Sequence, residues 1–463
     1  MLAMAIVPAG RFVYRRRIFS DCHDAYGRHA LGFRLRPLLM NEHRRATWSW
    51  AFIDWANSAF AIVVMTAFFP IFFKDYWCDV PGMTPERSTL YLGYANTVSS
   101  AIIALLAPLL GAIADQGNGK KKFLMLFTLL GGAATALLPL AAKGDFLLAA
   151  TFYAMAAVGF SGNNMFSDAL LTDVAEPKNY DRVSALGYAL GYVGSGCLFV
   201  LCALAVKTPA RFGFAGPVEA VNMAFWVTAA WWLLFTLPAL LWVRETPAIA
   251  PVGAGSLFTR GFRQFAATFR AIRRDRRILY FLAGYILYID GVNTVIKMAV
   301  DFGRGIGLDS GGMLMALIVT QFVAFPAAIG FGRIGEKYGA KRGILIGIAT
   351  YAGVCVFATQ MSSQTEFFIM AVVIGLVQGG VQSLSRSYFA RLIPPEKGGE
   401  YFGFYNMLGK FAAVLGPTLM GVTALLTDTR TSILSLIVLF VGGAWLLIRA
   451  GEETAQPHDQ RAG

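Results

Sequence analysis

The chain has 463 residues, 56% of them apolar and only 14% charged, and a formal net charge of +13. A soluble domain carries about 25% charged residues; the deficit here runs the whole length, which excludes a soluble globular protein and predicts one that crosses a membrane many times. The basic surplus does not mark a nucleic-acid binder, because the Lys and Arg residues are dispersed through short segments between apolar runs and form no compact basic domain.

Residues 1–47 contain nine Arg but no apolar stretch long enough for a signal peptide. Residues 1–45 are expected to be a disordered cytoplasmic extension. A start assigned too early, with Met40 as the natural beginning, and an organelle transit peptide are the other readings. A bilayer core selects apolar helices of about 20 residues. Apolar segments bounded by Gly, Pro, Asn and charge clusters predict six such helices in residues 46–243, over 48–73, 88–113, 123–142, 146–171, 182–206 and 219–243. Six more fall in residues 278–449, over 278–300, 310–334, 343–361, 367–390, 401–426 and 431–449. Between the two sets lies a basic cytoplasmic linker, 244–277. Its end, Arg270-Ala-Ile-Arg-Arg-Asp-Arg-Arg277, reads either as an amphipathic helix on an anionic leaflet or as a solvated linker. A short tail, 450–463, completes the chain. With both termini cytoplasmic, 29 of the 40 Lys and Arg residues fall inside and seven outside, as topology in membranes requires. The Trp cluster of the sixth helix (Trp226, Trp231, Trp232 and Trp242) is expected to face lipid or the interface. Five cysteines include no CxxC pair and read as small apolar residues.

The two sets are repeats. Gly111-Ala-Ile-Ala-Asp115 followed by Lys120 and Lys121 matches Gly332-Arg-Ile-Gly-Glu336 followed by Lys341 and Arg342, at an offset of 221. Asp173 to Pro177 matches Arg391 to Pro395, and Leu190-Gly191 matches Leu408-Gly409, at 218. Asp54-Trp-Ala-Asn57-Ser58 matches Asp290-Gly-Val-Asn293-Thr294 at 236, the jump falling where the first outside loop is longer in the N-half. Parallel six-helix repeats are a transporter architecture with the substrate at mid-membrane.

These loops resemble the signature of the major facilitator superfamily, over essentially residues 46–449. Asp54-Trp-Ala-Asn-Ser-Ala-Phe, the run Asp181 to Tyr192 and Glu400-Tyr-Phe-Gly-Phe-Tyr-Asn406 resemble its vacuolar-effluxer branch, whose bacterial members form the unknown major facilitator family. The resemblance implies an all-α membrane fold of two pseudo-symmetric six-helix bundles and export of amino acids or similar solutes. The superfamily loop prefers Asp-Arg-x-Gly-Arg, whereas Gln116 and Asn118 stand in the Arg and Gly positions here. That departure implies a weakened gate in the N-half loop.

A charge inside the hydrocarbon region is costly and marks function by default. Asp54, Asp168, Asp290, Lys297, Arg386 and Lys410 are such charges, and none lies in the third, sixth, ninth or twelfth helix. Asp54, Asn57 and Ser58 share one face of the first helix, as Asp290, Asn293, Thr294 and Lys297 do in the seventh. Those faces are expected to bind substrate or a proton, with Lys297 and Lys410 for an anionic substrate group. Three acids balance three bases, so pairing merely to stay buried is the competing reading. Asp115, Lys120, Asp168, Glu336, Lys341 and Arg386 are expected to gate or brace, Asp168 meeting Lys120 or Lys121 and Arg386 meeting Glu336. Gly187, Gly191, Gly194 and Gly409 are expected to permit close packing. Amides such as Asn163, Asn164, Gln382 and Asn406 are expected to join helices.

All four histidines lie in the tails, so a proton site must be a carboxylate. No ATP loop, metal motif or catalytic constellation occurs. The sequence predicts a monomeric, cofactor-free, metal-free secondary transporter of the cell membrane, working on a small polar solute with protons and exporting amino acids. Uptake of a sugar or neutral metabolite, and a non-transporting receptor or assembly factor on the same scaffold, are the alternatives.

Overall fold

The computed structural model describes residues 28–246, 257–305, 310–412 and 415–451. The chain divides into two compact units, residues 1–46 and 47–463. Of the extension expected over 1–45, residues 1–27 lie outside the described residues, as does the tail from 452, while residues 28–45 are helical and not disordered. Unit 47–463 takes in both repeats.

Among the described residues all regular structure is helical. The helices are α1 (Arg28–Ala59), α2 (Pro85–Gln116), α3 (Lys120–Leu137), α4 (Phe146–Val174), α5 (Tyr180–Lys207), α6 (Pro217–Trp242), α7 (Leu257–Arg274), α8 (Arg276–Gly305), α9 (Ser310–Tyr338), α10 (Ala340–Gln360), α11 (Gln364–Leu392), α12 (Gly398–Ala412), α13 (Leu415–Leu426) and α14 (Leu436–Arg449). Eleven spans among the described residues are long and apolar enough to cross a membrane, and the shorter apolar helix Ile433–Arg449 takes the twelfth expected place.

The first span extends to Trp77, past the expected end at 73. Its outer part runs through π-helical turns, Phe60–Phe68 and Phe73–Trp77, on either side of the piece Phe69–Phe72. Pro70 has no N–H for the helix ladder, and a wider turn is one way to accommodate the gap. The eleventh expected helix is described as two pieces, α12 and α13.

Within the N-half, Gly residues let large rings in. A Cβ at Gly131 would lie 2.3 Å from the Trp232 ring, and one at Gly194 2.5 Å from Trp55. Trp232 is fully buried and Trp231 stacks on Trp55 at 5.6 Å. Only Trp226 and Trp242 of that cluster are exposed. The expectation of a lipid-facing Trp row therefore fails for Trp232, whose ring fills the hollow at Gly131, while Trp231 is half-buried against Trp55.

The halves meet along two helix pairs, α2 with α12 and α5 with α9. Both joints use a repeat-related glycine. A Cβ on Gly111 would sit 2.1 Å from the Gly399 carbonyl oxygen, and one on Gly332 2.6 Å from the Ala185 Cβ. Gly403, facing Pro108 and Ala107, closes the first joint further. The signature glycines are therefore close-approach positions, since any side chain there collides with the opposite half. The loops following them bear the other conserved geometry of the repeat: Asn118 (φ 49°) and Gly339 (φ 88°) both take positive φ. Asn tolerates that region better than other side chains, which explains how it replaces Gly.

Overpacking a close contact costs about 1–3 kcal/mol. Gly111→Leu is accordingly expected to open the α2–α12 joint. The check is amide exchange over residues 398–405, which should speed up; unchanged exchange would mean that the joint is not held by this contact.

Candidate transport site at the joint between the halves

Arg386 projects from α11, in the C-half, and is 2% exposed. All of its N–H donors are accepted by N-half atoms. Nη2 donates to Asp54 Oδ2 at 2.9 Å and to the Ser184 carbonyl at 2.9 Å. Nη1 donates to Asp168 Oδ1 at 3.1 Å and to Asp54 Oδ1 at 3.4 Å. Nε donates to Ser184 Oγ at 2.9 Å. A guanidinium has five N–H groups in a fixed fork, and five bonds use them. The Trp50 and Tyr188 rings cover its faces, 4.7 and 4.4 Å from Cζ to the ring centroids. Asn406 of α12 adds a bond to Asp168 Oδ2 at 3.1 Å. Gly187 makes the pocket possible, because a Cβ there would lie 2.2 Å from Asp54 Oδ2.

This arrangement corrects two expectations. Asp168 meets Arg386 rather than Lys120 or Lys121, and Arg386 meets Asp54 and Asp168 rather than Glu336. Asp168 and Arg386 are repeat-equivalent, so the pseudo-symmetry that relates α4 to α11 brings them face to face. The first-helix triplet also separates. Asp54 goes to Arg386, Asn57 donates to Asn163 and Asn164 at 2.7 and 2.9 Å, and Ser58 lies against Gly191. Asn163 donates on to Thr128 of α3 (2.5 Å), so these amides do join helices, as expected.

At the end of the bundle that carries the two signature loops, a second tier of contacts crosses between the halves. Asp115 accepts from the backbone N–H groups of Gly399 and Glu400 at 3.0 and 2.8 Å, capping the start of α12. Arg391 grips Asp181 with two nitrogens, at 2.6 and 3.0 Å, and Ser387 donates to the same carboxylate. Thr172 donates to the Pro395 carbonyl at 3.2 Å. Within the N-half Lys120 pairs with Asp173 at 2.9 Å and Asp115 at 3.8 Å. Glu245 accepts from the Lys120 and Lys121 N–H groups, each at 3.0 Å. Asp115, Lys120 and Lys121 of the N-half loop are thus all engaged, while the Gln116 amide oxygen is buried with no hydrogen-bond partner among the described residues. The C-half has Arg391 where the repeat puts Asp173, so Lys341 turns instead to the carbonyls of Ile448 and Gly451 at 3.0 and 3.1 Å, a favourable place for a cation at a helix end.

Asp290 sits apart from this cluster. It is fully buried and accepts from the Gly416 N–H at the start of α13. Its Oδ1 and the hydroxyl of buried Thr294 have no hydrogen-bond partner among the described residues. Lys297 is exposed and Lys410 half-buried. They lie within Coulombic range of each other, and Lys297 of Asp290, yet neither forms a salt bridge among the described residues. Asn293 is half-buried on the same helix. Sequence reasoning missed Ser184, Tyr188 and Trp50 as partners of Arg386, and the Asp181–Arg391 pair. Asp181 stood at the head of a family-like segment and Arg391 at a repeat position, but neither lies deep in an apolar run, so neither drew attention as a buried charge.

A helical bundle of two repeats, with buried charges joining them, is the architecture of the major facilitator transporters. The structure superposes on the human organic anion transporter MFSD10 (TETRAN) with a TM-score of 0.67 at 15% identity, over 88% of this chain and 99% of that one. For the proton:xylose symporter XylE the TM-score is 0.69 at 12% identity, over 90% and 97%. Residues 83–458 match the "vacuole effluxer Atg22 like" family, and the chain belongs to it. The uncharacterized MFS-type transporter YxiO of Bacillus subtilis (strain 168) is 41% identical over 415 residues, 89% of this chain and 96% of YxiO. By the family match and this MFS-type relative, the protein is a multi-pass membrane transporter and not an enzyme. Autophagy-related protein 22-2 of Aspergillus clavatus is 26% identical over 278 residues, 55% of this chain but 44% of the fungal protein.

Removing one partner from a buried ion cluster costs about 3–5 kcal/mol, because the remaining charge stays buried. Arg386→Ala should therefore lower the thermal midpoint followed by Trp fluorescence. The triple variant Asp54→Asn, Asp168→Asn, Arg386→Gln should recover much of the loss. A midpoint unchanged in Arg386→Ala would refute the pairing.

Proposed function

We propose that the protein is a proton-coupled exporter of amino acids or similar small zwitterionic solutes, working by alternating access in the cell membrane with both termini and the signature-loop end on the cytoplasmic side. The observation that carries the reading is the charge count at the joint: two carboxylates, Asp54 and Asp168, share one guanidinium in a buried site. With both acids ionised the site holds a surplus negative charge, which is costly away from water. A proton bound there balances it. Opening the cytoplasmic end has to pull Arg386 away from both acids, which ties proton occupancy to the state of the gate. Asp115, Asp181 and Arg391 release together with it.

The substrate side of the proposal rests on Lys297, Lys410, Asp290 and Thr294. Two cations without salt-bridge partners suit a substrate carboxylate. A buried carboxylate oxygen and hydroxyl, both without hydrogen-bond partners among the described residues, suit its ammonium group. Asn293, Ser58 and Asn164, all half-buried, add polar lining. The second reading, transport of a neutral metabolite, draws on the pairing of Asp54, Asp168 and Arg386 among themselves and on the amide and phenol groups beside them. Tyr192 donates to Gln382 at 3.2 Å.

The test is solute flux in proteoliposomes under an imposed pH gradient, over a panel of amino acids and neutral sugars. Proton-driven amino acid flux is expected for the wild type. Asp54→Asn and Asp168→Asn should uncouple flux from the gradient, and Lys410→Gln should weaken substrate affinity. Gradient-driven flux unaltered in both acid variants would remove the proton assignment. Sugar flux in place of amino acid flux would favour the second reading.

A further inference from the structure

The linker helix α7 touches both halves at the joint where Gly111 meets Gly399. A Cβ at Gly261 would lie 2.8 Å from Ile113 of α2. Phe265 stacks on Phe404 of α12 with ring centroids 5.2 Å apart and planes 7° from parallel. Gln264 donates to the buried Glu400 of α12 at 3.2 Å. Thr268 and Ile272, on the same helix face, are buried. Helix α7 is therefore a strap across the α2–α12 seam, and the expectation of a merely solvated linker fails because its packed face is used by the protein.

The remaining faces are distinctive. Phe262 (60% exposed) and Phe269 (47%) form an apolar shoulder beside the packed face. At 100° per residue, Arg263, Arg270 and Arg274 lie together opposite that face, with Arg273 between them and the phenylalanines. The helix contains no acidic residue, and none of these four arginines forms an ion pair among the described residues. Exposed aromatic rings next to unpaired cations are the composition of a helix lying at a lipid interface, rings toward the acyl boundary and cations toward phosphate.

We infer that α7 binds anionic phospholipid headgroups and, through its hold on α2 and α12, makes closure of the signature-loop end sensitive to the lipid charge of the membrane. Bound headgroups neutralise the arginine face and fix the strap over the seam. A neutral membrane leaves the strap held only by its packing on Ile113, Phe404 and Glu400. This goes beyond the transport reading and is independent of proton coupling, substrate and orientation, because both leaflets of a nanodisc can carry the same lipid.

The experiment is hydrogen–deuterium exchange on the full chain in nanodiscs of phosphatidylcholine with or without phosphatidylglycerol. Electrostatic attraction of several cations to an anionic surface should slow exchange about tenfold over 257–274 when phosphatidylglycerol is present, and slow it also over 398–405. The quadruple variant Arg263→Gln, Arg270→Gln, Arg273→Gln, Arg274→Gln should lose both differences while keeping its exchange in neutral discs. If that variant does not fold, salt decides with the wild type: at about 1 M the differences should vanish, since screening then acts within about 3 Å. Equal exchange in the two lipids, or a difference surviving the substitutions or the salt, would overturn the inference. Protection confined to 257–274 would make α7 a passive anchor and overturn the coupling.

Discussion

A buried guanidinium is tolerable only where every N–H finds an acceptor and counter-charge lies close by. Arg386 meets that condition wholly through atoms of the other half: two carboxylates, a hydroxyl and a carbonyl. Its own half supplies the helix that carries it. The joint between the halves and the solvation of Arg386 are therefore one constraint, and the protein cannot open at that end without finding a new environment for the charge.

The rest of the joint is arranged around this constraint. Gly187 leaves room for the Asp54 carboxylate, and Gly111, Gly403 and Gly332 let the helices come close enough for the tiers of polar contact to form. Trp50 and Tyr188 shield the guanidinium faces, which keeps water out without adding charge. Nearer the loops, Asp115 at the start of α12 and Asp181 with Arg391 repeat the theme of one half's acid satisfied by the other half's donors. Asp181 is as deeply buried as the central acids, so these contacts are a second buried tier that breaks in the same motion. Asp290, bound to the Gly416 N–H, marks where the pseudo-symmetry was abandoned: its repeat mate Asp54 has an arginine, and among the described residues Asp290 has neither an arginine nor a partner for its other oxygen.

The architecture was readable because it follows from gross physics. Twenty-residue apolar runs, loop charge asymmetry and a repeat offset whose large shift falls at an inserted loop are properties of the chain itself. So were Asp54, Asp168, Asp290 and Arg386, since a charge deep in an apolar run stands out, whereas buried Asp181 and Glu400 near the helix ends did not. Their partners were not readable. Charge spacing along one helix says which residues share a face, not which face meets which helix, so Asp54, Asn57 and Ser58 looked like one site and prove to serve three contacts. The repeat did contain a clue that Asp168 and Arg386 would meet, as equivalent positions of opposite sign near a pseudo-two-fold axis. Proximity to the loops suggested local partners instead, and Gly111 and Gly332, which bring the halves together, were read only as part of the loop motif.

The central claim, that Arg386 holds the signature-loop end closed across the halves, is tested most directly by a distance measured between them. Spin labels at 122 and 337, both exposed lysine positions, in a background with the native cysteines replaced, report the separation by double electron–electron resonance. The account predicts a single short distance for the otherwise wild-type protein and a longer, broader distribution for Arg386→Ala. Superimposable distributions would contradict it.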